Sequence, residues 1–179
     1  MLRIALIALA LAAASVPFAQ NRVPGTKLEL NTLDPHFFAA FPTGSSHEYL
    51  YDKLVVLDEK LKVKPALALS WKLVDNLTWE FKLRKGVVFH DGSPFTADDV
   101  LFTVERGPNV PNSPNSFSQF TRSIEKISKT DDHTIVVRTK APNPQLLNDF
   151  TNVFIVSAKS GRGATTADYN SGKAAIGGV

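Results

Sequence analysis

Thr78-Trp79-Glu80-Phe81-Lys82-Leu83-Arg84 is the stretch on which the reading of the fold turns. Trp79, Phe81 and Leu83 alternate with Glu80, Lys82 and Arg84. Successive side chains of a strand point to opposite faces, so one face of this segment is apolar and the other charged. The pattern predicts a half-buried antiparallel strand, with its apolar side against a core and its charged side in water.

Upstream, Leu54-Val55-Val56-Leu57 and Leu61-Lys62-Val63 flank Asp58-Glu59-Lys60 and predict a hairpin. Residues 65–69 lead from it to Ser70-Trp71. Downstream, Val87-Val88-Phe89 is expected to continue the central strand, and Asp91-Gly92 to turn the chain. Thr96 is placed to cap a helix that begins Ala97-Asp98-Asp99-Val100, where acidic residues suit the first turn. Gly107-Pro108 stops that helix, and the polar, proline-rich stretch 109–118 reads as a loop. Residues 124–129 and 134–139 alternate around Asp131-Asp132, a second hairpin. Pro142 and Pro144 open a short helix carrying Leu146, Leu147 and Phe150, and residues 153–156 read as a buried strand.

The two ends of the chain carry further expectations. Leu28 and Leu30 alternate as in a strand, and Leu33-Asp34-Pro35 closes it, because the residue before proline is driven from helical geometry. Ser45, with Glu48 three residues on, predicts a capped helix over 45–54 with Leu50 and Leu54 on one face. The last twenty residues are rich in Gly, Ala, Ser and Thr and are expected to lack any sizeable apolar cluster. The sum is an α+β chain: a mixed, mostly antiparallel sheet with flanking helices and no internal repeat.

Residues 1–19 differ in kind. Met1-Leu2-Arg3 supplies one positive charge, residues 4–14 are an unbroken run of Ile, Leu and Ala, and residues 15–19 are a short tail ending in Ala19. That layout predicts a secretory signal peptide, too short to span a bilayer, cleaved after Ala19 or, because Pro17 lies close to that cut, alternatively at Ala14 or Ser15. There is no cysteine, so neither a disulfide nor a lipid anchor on cysteine is available. Export without lipidation points to the periplasm of a two-membrane bacterium. The net charge of +3 is spread along a chain in which basic and acidic residues alternate, so no nucleic-acid or polybasic membrane patch is expected.

No catalytic residue, metal ligand or cofactor motif is nominated. The four histidines, His36, His47, His90 and His133, have no ligand spacing and are expected at the surface or in turns. Asp98-Asp99 and Asp131-Asp132 are adjacent carboxylates, but neighbours on a helix diverge, and both pairs sit where helix starts and turns favour Asp. A small secreted hydrolase using Asp98 or His90 is the rival reading from another class.

Three stretches together carry a resemblance: Leu33-Asp34-Pro35-His36; residues 65–71 with 77–87; and Phe89-His90-Asp91-Gly92-Ser93-Pro94-Phe95-Thr96-Ala97-Asp98-Asp99-Val100 with Glu105-Arg106. In order and spacing they resemble the family 5 (peptide, nickel and glutathione type) solute-binding proteins of ABC importers. Similarity runs on through Asn112-Ser113-Pro114 to residues 172–177. Members of that family are longer, with two lobes that close on a ligand, so the resemblance implies the N-terminal part of a two-lobed periplasmic binding protein of the peptide-binding class (type II). It implies residues 20–45 as the start of the first lobe, 46–160 as the inserted small α/β domain, and 161–179 as the return segment. A Thr-Gly-Pro-Tyr stretch usually follows a segment like Ala175-Ile176-Gly177, whereas here Gly178-Val179 follows, which fits a truncated reading of a longer product.

The resemblance also implies a monomeric binding module that captures an oligopeptide-like solute and hands it to an inner-membrane permease. Two loops resemble segments that border the ligand cleft. On that basis Phe38, Ser45 and Phe117 are the candidate ligand contacts, while the three signature stretches are scaffold.

Overall fold

The computed structural model describes residues 32–39 and 47–178. The signal-peptide layout, the Leu28/Leu30 alternation and the Ser45 cap lie outside the described residues. Two sheets are present among the described residues. A short hairpin pairs β1 (Val55–Leu57) with β2 (Val63–Pro65). A four-stranded antiparallel sheet has the order β3-β4-β6-β5, formed by β3 (Ala68–Asp75), β4 (Thr78–Leu83), β5 (Ile124–Asp131) and β6 (Thr134–Thr139).

The segment Thr78–Leu83 is a central strand of that sheet, with Phe81 opposite Trp71 on one side and Ile135 on the other. Phe81, Leu83, Ile135 and Val137 are buried on the apolar face. The opposite face carries ion pairs in water, including Lys72–Glu80 and Arg138–Glu125, both at 3.1 Å. Helix α1 (Ala97–Arg106) covers the apolar face with Val100 and Val104, four residues apart. Short helix α3 (Leu146–Phe150) adds Leu146 and Phe150, whose ring meets Phe81 edge-on at 5.5 Å.

A second, smaller apolar cluster lies on the other side of α1. Phe102 packs there with Tyr51, Phe154, Val156, Ala158, Tyr169 and Ala174. Among the described residues, α2 (Ser118–Thr121), α4 (Ala158–Gly161) and α5 (Thr166–Asn170) are further short helices. Asp99 joins α1 to α4. Its Oδ2 accepts from the Thr96 N–H at 2.8 Å, closing the first turn, and its Oδ1 accepts from the Ala158 N–H at 2.8 Å. Burial raises the Asp99 pKa in spite of these bonds.

Several expectations need correction. β3 was not anticipated, because as an edge strand it exposes Leu69, Leu73 and Val74 and so lacks clean alternation. The expected helix over 45–54 is, over its described part, a single turn at His47, after which the chain extends so that Lys53 bridges Phe154. Val87-Val88-Phe89 does not prolong β4: Gly86 turns the chain at φ +75°, and Val88 and Phe89 make only isolated bridges, to Pro94 and Gly178. Residues 153–156 are buried as expected, but only Phe154 is bridged, so they form no strand. The final twenty residues place Tyr169 and Ala174 within the second cluster, Tyr169 fully buried.

Candidate functional site

The surface-or-turn reading of the histidines is met at His36 by a turn, but neither His36 nor His47 is at the surface. His36 and His47 are fully buried, and His36 stands at the centre of a polar knot. The knot starts with Arg106, the last residue of α1. Its guanidinium holds the Asp34 carboxylate in a two-bond fork, Nη1 to Oδ1 at 2.9 Å and Nη2 to Oδ2 at 2.7 Å. Nη1 also donates to His36 Nδ1 at 3.0 Å, and the guanidinium lies over the Tyr169 ring at 4.2 Å. Asp34 accepts further bonds from the His36 N–H and from the Thr166 hydroxyl.

Because Nδ1 of His36 faces a donor, it must be the bare nitrogen. The proton is therefore on Nε2, which donates to the Phe154 carbonyl at 2.8 Å. Burial first, and the Arg106 charge second, hold the His36 pKa down to about 4. For Asp34 burial alone would raise the pKa, but the hydrogen bonds and charge of Arg106 prevail and lower it. His47 is likewise lowered by burial, while its Nε2 donates to the Thr32 carbonyl at 2.9 Å. Tyr51 donates to the Leu33 carbonyl, and Asn170 Oδ1 accepts from both the Thr32 hydroxyl and the Leu33 N–H. Every turn of residues 32–36 is thereby fastened to distant segments.

From the knot the chain emerges as residues 37–39 and runs parallel to residues 113–115. Phe38 bridges Asn115; the Ser113 hydroxyl donates to the Phe37 carbonyl at 2.8 Å; the Ala39 N–H donates to the Asn115 carbonyl at 3.1 Å. Asn112, at φ +58°, turns the chain into this pairing. The two loops singled out from the sequence are thus neighbours. Phe38 is half-buried on the paired segment. Phe117 is 4% exposed and lies beneath it, edge-on to His36 at 5.4 Å and against Phe120 at 5.6 Å. Ser45 lies outside the described residues.

Beside the knot, a groove of about 380 Å³ runs between the end of α1 and residues 161–166, lined by Phe102, Glu105, Arg106, Val110, Arg162 and Thr166. Asp98 is exposed in an ion pair with Lys129 at 2.7 Å, and the His90 ring accepts from the Gly177 N–H, so both residues of the rival hydrolase reading have structural roles. Among the described residues, no group of His, Asp and Glu could hold a metal ion, and no helix is long and apolar enough to cross a membrane. Sequence reasoning missed Asp34, His36, His47, Arg106, Thr166 and Tyr169 as a unit. The available signal was the pairing of Leu33-Asp34-Pro35-His36 with Glu105-Arg106, read above as scaffold.

The model of the bacterial extracellular solute-binding proteins, family 5 Middle, matches residues 62–177. The chain belongs to this family. Among family 5 relatives, the periplasmic oligopeptide-binding protein OppA of Escherichia coli K12 is 29% identical over 141 residues, covering 70% of this chain and 26% of OppA. The solved structure of the oligopeptide-binding protein AppA from Bacillus subtilis, in complex with a nonapeptide, matches with a TM-score of 0.65 and 29% identity, over 72% of this chain and 26% of that one. NikZ from Campylobacter jejuni, in complex with Ni(L-His), matches with a TM-score of 0.71 over 83% of this chain and 30% of NikZ. At 24% identity that last likeness speaks for the fold alone. The α+β architecture is thus part of the periplasmic binding protein fold. The chain spans between a quarter and a third of the length of these relatives.

Proposed function

We propose that this chain contributes part of the binding component of an ABC importer, one that captures oligopeptides or similar small solutes in the periplasm without covalent chemistry. The observation that carries the reading is the family 5 match over residues 62–177, joined to a fold shared with a peptide-bound relative at 29% identity. Delivery to an inner-membrane permease and export by the N-terminal segment follow from the same kinship. In this reading residues 20–45 and 161–179 belong to the ligand-closing lobe and 46–160 to the smaller domain inserted in it. Phe38 and Ser45 contact the solute, and Phe117, buried beneath the paired loops, backs that surface.

Peptide capture in a cleft relies on backbone hydrogen bonds and enclosure by two lobes. The test is a calorimetric titration of the purified product of this gene with tetraalanine and with a nonapeptide. Saturable binding at micromolar or lower concentration supports the reading. Absence of heat with both peptides, together with no shift in melting temperature, overturns it. An immunoblot against residues 60–140 in the source cells fixes which length of product should be titrated.

A further inference from the structure

The polar knot and the paired loops form one closed circuit. Arg106 bonds Asp34 and His36; His36 leads directly into residues 37–39; these pair with residues 113–115; and Phe117, two residues on, returns to pack edge-on against His36. The Arg106 fork therefore holds the two residues, Asp34 and His36, from which residues 37–39 leave the core, alongside the bonds of Thr166, Tyr51 and Asn170 to residues 32–34. We propose that Arg106 is a positioning residue for the solute-facing surface, acting through Asp34 and His36 to hold the segments that carry Phe38 and Phe117.

Three features of the arrangement point this way. First, the fork is shared: Nη1 serves both Asp34 Oδ1 and His36 Nδ1 while Nη2 holds Asp34 Oδ2, a spread of three acceptors that two coplanar nitrogens meet and the single centre of an ammonium does not. Second, the Arg106 side chain is only 10% exposed and Asp34 is fully buried, so the pair is insulated from solvent screening. Third, the paired loops have little else to hold them. Residues 37–39 make no strand of either sheet, and apart from the knot the described anchor is their pairing with residues 113–115. A purely architectural tie would fasten one element to another. This one fastens the root of a loop pair whose other end is the candidate contact surface.

The inference rests on the proposed binding role for its ligand readout, but its first readout needs no ligand. In Arg106→Lys the charge facing Asp34 is kept and the fork is lost. Backbone hydrogen exchange should rise about tenfold over residues 37–39 and 113–120, the change expected from losing one charge-assisted hydrogen bond, with residues 78–83 and 134–139 keeping their protection. Tetraalanine affinity should fall by a comparable factor. A second variant guards against simple unfolding: Arg106→Gln with Asp34→Asn removes the buried charge altogether, and it should fold yet leave the loop pair fast-exchanging. Ile135→Val, a core change in the central sheet opposite Phe81, serves as a control for general destabilisation. Wild-type exchange in residues 37–39 and 113–120 of both Arg106 variants would overturn the proposal, as would a rise in those variants matched in the central strands, or a rise over residues 37–39 and 113–120 reproduced by Ile135→Val. If wild-type protein binds neither peptide but the exchange pattern holds, the positioning role stands and the peptide reading falls.

Discussion

The four-stranded sheet and the polar knot lie on opposite sides of helix α1 and are built on opposite principles. The sheet joins neighbours in sequence: β3 to β4 and β5 to β6 are hairpins, and its energy comes from apolar side chains such as Phe81, Ile135 and Val137 leaving water. The knot joins residues separated by 72, 118 and 132 positions, and its energy comes from charge and hydrogen bonds in a dry interior. An apolar core is indifferent to pH and degrades gradually with each lost methylene. A buried ion pair fails when one partner is removed or protonated. One helix thus carries both kinds of cement, Val100 and Val104 on one side, Phe102 and Arg106 on the other.

The sharpest way to break this contrast is a paired truncation. Arg106→Met leaves the Asp34 carboxylate buried without its cation and should cost about 3–5 kcal/mol, while Phe81→Ala should cost a similar amount through a cavity. The two are told apart by adding Asp34→Asn, which should recover a large part of the first loss and none of the second. Urea denaturation of the single and double variants measures it; equal response of both backgrounds to Asp34→Asn would erase the distinction.

Acid is the next largest lever. His36 is neutral in the folded state down to about pH 4, whereas in the unfolded chain it takes up a proton near pH 6.5. Between those values the unfolded chain binds more protons, so stability is full above pH 6.5 and declines as pH falls towards 4, by about 3 kcal/mol. The lowered Asp34 pKa adds a further loss below pH 3.8, once that carboxylate begins to protonate. His36→Asn keeps an acceptor for Arg106 but does not titrate, and its melting temperature should be flatter between pH 4 and 6.5 than that of the wild type.

How much of this was legible follows the same division. Trp79, Phe81 and Leu83 announced their strand because period-two alternation is a local property. Thr96 and Asp99 announced the start of α1 for the same reason. β3 escaped because an edge strand with exposed Leu73 and Val74 breaks the alternation. The knot escaped because no local pattern marks it: Asp34, Arg106 and Thr166 become neighbours only when the chain closes on itself. For His36 and His47 the expectation of a surface or turn position missed the burial, although His36 does sit in a turn, since histidine gives no sign of burial until its acceptors, here the carbonyls of Phe154 and Thr32, are known. Of the candidate contacts, the sequence placed Phe38 and Phe117 on loops, but not on loops that touch.

Two smaller tests sharpen the comparison. Gly161 sits where a Cβ would fall 2.5 Å from the Phe102 ring and 2.7 Å from the Tyr169 hydroxyl, a hydroxyl with no hydrogen-bond partner among the described residues. Gly161→Ala should therefore overpack the second cluster and cost about 1–3 kcal/mol, read as a lower melting temperature with the sheet otherwise intact. On the charged face of the sheet, Glu125→Gln removes the partner of Arg138, and both side chains are about half exposed. Its effect on denaturation should be below about 0.5 kcal/mol and should vanish in high salt.

The Thr166–Asp34 bond spans 132 residues. Contacts of such separation carry a larger loop-closure cost than the hairpins, and we expect this one to form after them, on the native side of the folding barrier. Changes at Arg106 or Thr166 should then leave the refolding rate nearly untouched and appear almost wholly as faster unfolding. In that case the Thr166–Asp34 bond would act as a clock, governing how long a folded molecule lasts.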